Sequence, residues 1–164
     1  MNIRSAALAD AAQIAEIYNY YIKTSHATFE LETIDAAEMQ TRIREGFDKN
    51  YPFLVCEENE EILGYAYGRQ FRPRRAYQHS IEVSVYIKNG AEGNGVGTNL
   101  YRELLGAVLA KDFHVIIAGI SLPNDASVKL HEKFGFEKVA HFREVGFKFG
   151  RWIDVGYWEL LKQK

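Results

Sequence analysis

The stretch Ser80-Ile81-Glu82-Val83-Ser84-Val85-Tyr86-Ile87, followed shortly by Glu92-Gly93-Asn94-Gly95-Val96-Gly97, decides the fold. Ile81, Val83, Val85 and Ile87 alternate with Glu82, Ser84 and Tyr86, which is the period of a strand with one apolar face. Past the glycines, Leu100, Tyr101, Leu104, Leu105 and Val108 recur at helical spacing and predict a helix over residues 96–110. Residues 115–120 are apolar without alternation, as expected of a strand covered on both faces. Strand, helix and strand at this spacing make a parallel crossover, and the glycine turn lies where the first strand passes into the helix.

Working outward, residues 1–5 read as a short strand, and Ile14, Ile17, Tyr18 and Tyr21 mark a helix after it. A second helix is expected over residues 35–48, with Asp35 as N-cap and Met39, Ile43 and Phe47 on one face. Residues 51–56 and 62–69 read as a hairpin across the acidic turn Glu57-Glu58-Asn59-Glu60-Glu61. On the other side, Asn124 caps a short helix reaching about Lys133 and ended by Gly135. Closing strands are expected near residues 136–143 and 157–161. The order β, α, α, β, β, β, α, β, α, β, β describes an α+β fold around one mixed sheet. No repeat or linker interrupts it, so residues 1–164 are expected to form a single domain.

A formal net charge of -2 supplies no positive field for nucleic acid or an anionic membrane, and both are set aside as partners. The one cysteine, Cys56, sits in the apolar run Pro52-Phe53-Leu54-Val55-Cys56 and reads as a small buried hydrophobe. No disulfide or cysteine zinc site follows from it, and no metal is expected. The start Met1-Asn2-Ile3-Arg4-Ser5 lacks the regions of a signal peptide, and no apolar run approaches a membrane span, so a cytoplasmic location is expected.

Glycines opening a helix let bare N–H groups converge on an anion at the positive end of the helix dipole. A plainer use of the same glycines is to supply positive φ in a tight connection. A P-loop would need lysine after its last glycine, and here Gly97 is followed by Thr98 and Asn99. A dinucleotide fold would place its glycines after the first strand of a repeated βαβ array, not after the fourth.

Glu92-Gly93-Asn94-Gly95-Val96-Gly97 resembles the (Gln/Arg)-x-x-Gly-x-(Gly/Ala) pyrophosphate loop of the GNAT N-acetyltransferases, with Glu92 standing where that family has Gln or Arg. Ser121-Leu122-Pro123-Asn124-Asp125-Ala126-Ser127-Val128-Lys129-Leu130-His131 and Lys148-Phe149-Gly150-Arg151-Trp152-Ile153-Asp154-Val155-Gly156 resemble its phosphinothricin and methionine-sulfoximine acetyltransferase branch. The likeness covers residues 3–158. It implies a GNAT fold with a splayed parallel pair at the fourth and fifth strands, and acetyl-CoA as co-substrate. Glu92, Gly93, Asn94, Gly95, Val96, Gly97 and Thr98 would then hold the pyrophosphate. Val85, Tyr86 and Ile87 would pair by backbone with the pantetheine arm, Val85 also offering its N–H to the oxyanion. Asn124 and Ser127 match positions that contact CoA, although both are ordinary helix-start residues.

Glutamate is rare inside strands, so Glu82 is either a solvated residue or a functional one. The resemblance assigns it as general base, through a water, for an ammonium that must lose a proton before it attacks. His131 occupies the slot of a thiolate-protonating tyrosine, and both an acid and a structural role are open. Arg72 resembles a clamp for a carboxylate or phosphinate. Phe29 and Tyr77 resemble pocket aromatics, with core packing as the alternative, and Trp152 with Asp154 suggests structure or a dimer contact. The implied reaction is direct acetylation, in a ternary complex, of the α-amine of a small amino-acid analogue by a homodimer. Acetylation of a protein N-terminus and a non-catalytic CoA-sensing module are the competing readings.

Overall fold

The computed structural model describes residues 1–163. The chain runs through β1 (Asn2–Ser5), a 3-10 turn at Leu8–Asp10, α1 (Ala11–Thr24), α2 (Ala36–Asp48), β2 (Phe53–Glu58), β3 (Glu61–Gln70) and a second 3-10 turn at Arg75–Tyr77. It continues through β4 (Ser80–Ile87), α3 (Val96–Leu109), β5 (Val115–Leu122), α4 (Asp125–Lys133), β6 (Glu137–Lys148) and β7 (Arg151–Leu161). The strands form one mixed sheet in the order β1-β2-β3-β4-β5-β7-β6. The parallel step is β4 with β5, where Ser80, Ile81 and Glu82 face Val115, Ile116 and Ile117. Beyond that ladder β4 runs on to Ile87 and β5 to Leu122.

Backbone contacts divide the chain into two compact units, each drawn from three segments. Residues 1–20, 34–69 and 83–112 form the first. Its core is the α3 stripe of Val96, Leu100, Tyr101, Leu104, Leu105 and Val108, all buried, with Phe53, Val55, Cys56 and Tyr65 from β2 and β3. Asp35 caps α2 by accepting from the Glu38 N–H at 2.8 Å, and Met39 and Ile43 are buried. Phe47, expected on that same face, is 41% exposed, because the helix ends one residue later. Arg4 holds this unit's entry together: its guanidinium meets both Asp10 oxygens at 2.7 and 3.0 Å and donates to Glu57 at 2.8 Å.

Residues 21–33, 70–82 and 113–164 form the second unit. Ile116, Ala118 and Ile120 of β5 are buried with Ile153, Val155 and Trp158 of β7. The expectation that β5 is covered on both faces does not hold, since Gly119 is exposed between buried neighbours. An apolar run and a run with one gap in its cover look alike when the gap is made by a glycine. The closing strands are also far longer than their apolar pattern. They meet at a tight turn in which Phe149 and Gly150 take φ of 52° and 72°, between the paired residues Lys148 and Arg151. The expected strand near residues 136–143 is the first part of β6; its continuation to Lys148 was not expected, because most of β6 faces outward and lacks a period-two apolar signal. No helix among the described residues is long and apolar enough to cross a membrane.

The Arg4 pair ties stability to pH. The Arg4 hydrogen bonds hold the largely buried Asp10 carboxyl below the usual carboxylate range, against the opposing effect of burial. A depressed folded-state value means that the stabilisation is present above the unfolded value and fades as pH falls through the folded one. Asp10→Asn should cost about 2 kcal/mol near pH 7. Urea melts from pH 7 to pH 2 should show the gap to wild type closing below about pH 4.

Candidate active site

In the first unit, the glycine loop is built for backbone donors. Gly93 and Gly95 take φ of +81° and +79°, and a Cβ on Gly93 would meet nothing within 4 Å, so its side of the loop is open. Gly95 is the N-cap of α3, and no side chain caps that helix. The first-turn N–H groups of a helix have no partner within the helix, and the dipole makes this end positive. Val96 is buried and offers only its backbone, while Gly97 and Thr98 are partly exposed on the first turn. Gly97 lies inside the helix, so positive φ does not account for all three glycines. The loop therefore suits an anion.

Glu92 is accommodated by facing backwards. Its Oε2 accepts from the Gly90 N–H at 2.7 Å, which commits the carboxylate to the turn before the loop. Arg102, one turn into α3 and not anticipated, contacts Asn99 Oδ1 at 3.0 Å and adds a cation at this end of the helix. On β4, the Tyr86 ring stacks on Tyr65 with centroids 5.4 Å apart and meets Tyr18 edge-on at 5.2 Å. That ring is structural, which leaves the backbone of Val85, Tyr86 and Ile87 as the part suited to a ligand.

The second unit carries Glu82. It is half-buried at the end of the parallel ladder, opposite Ile117, and its carboxylate lies over Gly119 two residues further along β5. A Cβ on Gly119 would sit 3.5 Å from Glu82 Oε1 and 3.2 Å from the ring of Tyr157, the residue that pairs with Gly119 across β7. Glycine thus keeps an opening in which a carboxylate and a phenol edge share one face. Neither Gly119 nor Tyr157 was singled out in the sequence, because the opening depends on a pairing of distant strands.

Arg72 and Tyr77 come together through Phe71. The Arg72 guanidinium lies over the Phe71 ring at 5.1 Å, and Tyr77 meets the same ring edge-on at 5.7 Å. Arg72 and Tyr77 are exposed, so Tyr77 is no core residue. Phe29 is 40% exposed with its ring against Gly146 of β6. Trp152, also exposed, packs on Phe147, and Asp154 accepts from His141 at 2.7 Å and from the Glu144 N–H at 2.8 Å.

On α4, Asn124 Oδ1 caps the helix by accepting from Ser127 N–H at 3.2 Å. His131 is 3% exposed, edge-on to Phe136, with Nδ1 at 2.7 Å from the Ser127 carbonyl oxygen. A carbonyl only accepts, so Nδ1 carries the proton. Burial holds the imidazole below its usual range, and the bond to Ser127 opposes this only in part. A neutral ring of this tautomer has no Nε2 proton to give, which favours the structural reading of His131 over the acid. Cys56 is fully buried, and burial pushes its thiol up, away from a reactive thiolate. Among the described residues no cluster of three or more His, Cys, Asp or Glu is placed to hold a metal.

The family model for the acetyltransferase (GNAT) domain matches residues 3–156. The phosphinothricin N-acetyltransferase of Streptomyces coelicolor is 38% identical, over 97% of this chain and 95% of that protein. The L-methionine sulfoximine/L-methionine sulfone acetyltransferase of Salmonella typhimurium is 36% identical, over 98% of this chain and 94% of that one. Among solved structures, a GNAT phosphinothricin acetyltransferase from Sinorhizobium meliloti in complex with acetyl-CoA superposes with a TM-score of 0.95 at 35% identity, over 98% of this chain and 88% of that one. The chain belongs to the GNAT acetyltransferase family.

Proposed function

We propose that this chain works as a single domain that acetylates the α-amine of a small amino-acid-like acceptor of phosphinothricin, methionine sulfoximine or methionine sulfone type. Acetyl-CoA and acceptor are bound together, and transfer is direct. The observation that carries the reading is the Glu82 carboxylate held over the exposed Gly119, since a solvated strand residue would have no need of that gap. The names of the two curated relatives supply the acceptor class.

Bound acetyl-CoA would supply the thioester: the amine nitrogen bonds to its carbonyl carbon, the C–S bond breaks, and coenzyme A leaves as a thiolate that takes a proton from solvent. The glycine loop and the first turn of α3 would hold its pyrophosphate by N–H groups, and the backbone of β4 from Val85 to Ile87 would pair with the pantetheine arm. Glu82 takes the ammonium proton through a water, which frees the lone pair. The Val85 N–H would donate to the carbonyl oxygen as negative charge develops there. Arg72 binds the acceptor's carboxylate or phosphinate by its fork of donors, with Phe29 and Tyr77 beside the apolar part. Asn124 and Ser127 add contacts to the cofactor, and His131 holds α4. No covalent enzyme intermediate is needed, in keeping with the buried Cys56.

We assign the work to the cytoplasm and the assembly to a homodimer. The support for a dimer is the β6–β7 hairpin, where Val145, Phe147, Phe149 and Trp152 are 59%, 54%, 56% and 62% exposed. A cluster of that kind on one hairpin calls for a cover.

Free-thiol release from acetyl-CoA, measured against phosphinothricin, methionine sulfoximine, methionine sulfone and an N-terminal peptide, tests the reading. Turnover of the small acceptors that is lost in Arg72→Ala supports it. Turnover of the peptide alone favours a protein acceptor, and binding without thiol release in every arm favours a sensing module. Glu82→Gln should lower kcat by about 10²- to 10⁴-fold with acetyl-CoA affinity retained, as seen by titration calorimetry. Glu92→Gln removes a negative charge from the pyrophosphate end of α3. It should lower the KM for acetyl-CoA by about two- to fivefold at low salt, with the gain shrinking as salt is added. Trp152→Glu should shift the sedimentation coefficient from dimer to monomer.

A further inference from the structure

We propose that Lys148 is a positioning residue for the acceptor side: its buried ammonium fixes the segment Ser25-His26-Ala27-Thr28-Phe29-Glu30, and through Phe29 it sets which acceptors fit. The inference rests on the acceptor reading above, and it concerns a group that the reaction itself does not use.

Lys148 is 2% exposed and donates to the carbonyl oxygens of Ser25 at 2.7 Å and Thr28 at 2.8 Å. An ammonium taken out of water carries a desolvation cost that a methionine of similar length would avoid. What the ammonium does here and an apolar side chain would not is grip two carbonyls of one loop. The loop is short of regular structure and needs such a grip. Its own hydroxyls close two small turns, Ser25 Oγ accepting from the Ala27 N–H at 3.0 Å and Thr28 Oγ1 from the Glu30 N–H at 3.2 Å. His26 Nδ1 lies 3.1 Å from Ser121 Oγ, which ties the loop to the end of β5.

Gly146 supplies the other half of the device. Gly146 and Lys148 are two apart on β6 and point inward, while Val145 and Phe147 point out. A Cβ on Gly146 would overlap the Phe29 ring, so only glycine lets the ring down onto the strand. The register that presents both residues is set by a bulge between Phe142 and Gly146. Glu144 takes φ of +54° in that bulge and is anchored by its N–H to Asp154 Oδ1 at 2.8 Å. β6 therefore fixes the loop twice, by its carbonyls and by the resting place of Phe29. Burial holds the Lys148 amine below its usual range, with Glu30 opposing. A neutral amine would still donate two hydrogen bonds, so the grip does not depend on the charge.

The full-length protein with Lys148→Met, Lys148→Arg or Gly146→Ala tests this with phosphinothricin and methionine sulfone as acceptors. Lys148→Met should raise the acceptor KM about tenfold, with the acetyl-CoA Kd within about twofold of wild type. It should also change the preference between the two acceptors and speed amide exchange at Ala27 and Glu30. Lys148→Arg, which keeps donors for both carbonyls, should stay near wild type. Gly146→Ala lifts Phe29 with Lys148 intact, and should raise the acceptor KM alone even where Lys148→Met fails to fold. The proposal is overturned if the acceptor KM and preference are unchanged in Gly146→Ala, or if acceptor and acetyl-CoA binding weaken by the same factor. A wild type inactive on every small acceptor overturns the acceptor reading itself, and this proposal with it. That result is distinct from failure of the proposal alone, where the wild type turns over.

Discussion

The short parallel ladder of Ser80–Glu82 on Val115–Ile117 is the constraint on which the rest depends. Parallel neighbours cannot be joined by a hairpin, so the chain must cross over, and the crossing element is α3. A helix entered in this way begins just past the C-terminal end of β4, where its unpaired N–H groups become the natural place for an anion. The same ladder sets the carboxylate. Glu82 is its last residue, opposite Ile117, and period two puts Gly119 on the same face of β5 as Ile117. One pairing thus bears on both the loop of N–H donors and the opening beside the Glu82 carboxylate.

The candidate regions of the two units use different chemistry. The loop at Gly93 to Thr98 offers main-chain N–H groups, whose direction is fixed by φ and by the start of the helix, so side chains there matter mainly by staying out of the way. Glu92 does so by bonding to Gly90. The second unit's candidate residues are side chains with definite partners: Arg72 on Phe71, Tyr77 on the same ring, Phe29 on Gly146. A backbone site fits any ligand with the same diphosphate, whereas a side-chain site distinguishes acceptors.

This difference also governs how far the chain could be read in advance. The strand Ser80–Ile87 and the start of α3 at Val96 are as the alternation and the glycines require, because each is specified within a few consecutive residues. Gly119, Tyr157 and Phe71 were missed because their meaning lies in pairings between distant segments. Gly119 is the sharpest instance, since one glycine within an apolar run gives no sign of which face it opens. The end of β6, residues 144–148, went unread for another reason: an edge strand with an exposed face carries apolar residues on the wrong side for a core pattern. His131 was ambiguous by type alone, and the Ser127 carbonyl resolves its tautomer.

A loop that must hold an aromatic ring at one height can be tied by ion pairs, by packing or by hydrogen bonds to its backbone. Ion pairs at the surface would loosen with salt, and packing needs large apolar residues that Ser25-His26-Ala27-Thr28 does not have. Lysine to carbonyl avoids both difficulties. The acceptors are peptide oxygens, present whatever residues occupy the loop, and they do not titrate. Phe29 makes none of these backbone-fixing bonds, so on the proposal above a change at Phe29 retunes selectivity while Lys148 and the hydroxyls of Ser25 and Thr28 keep the path of the segment that carries it.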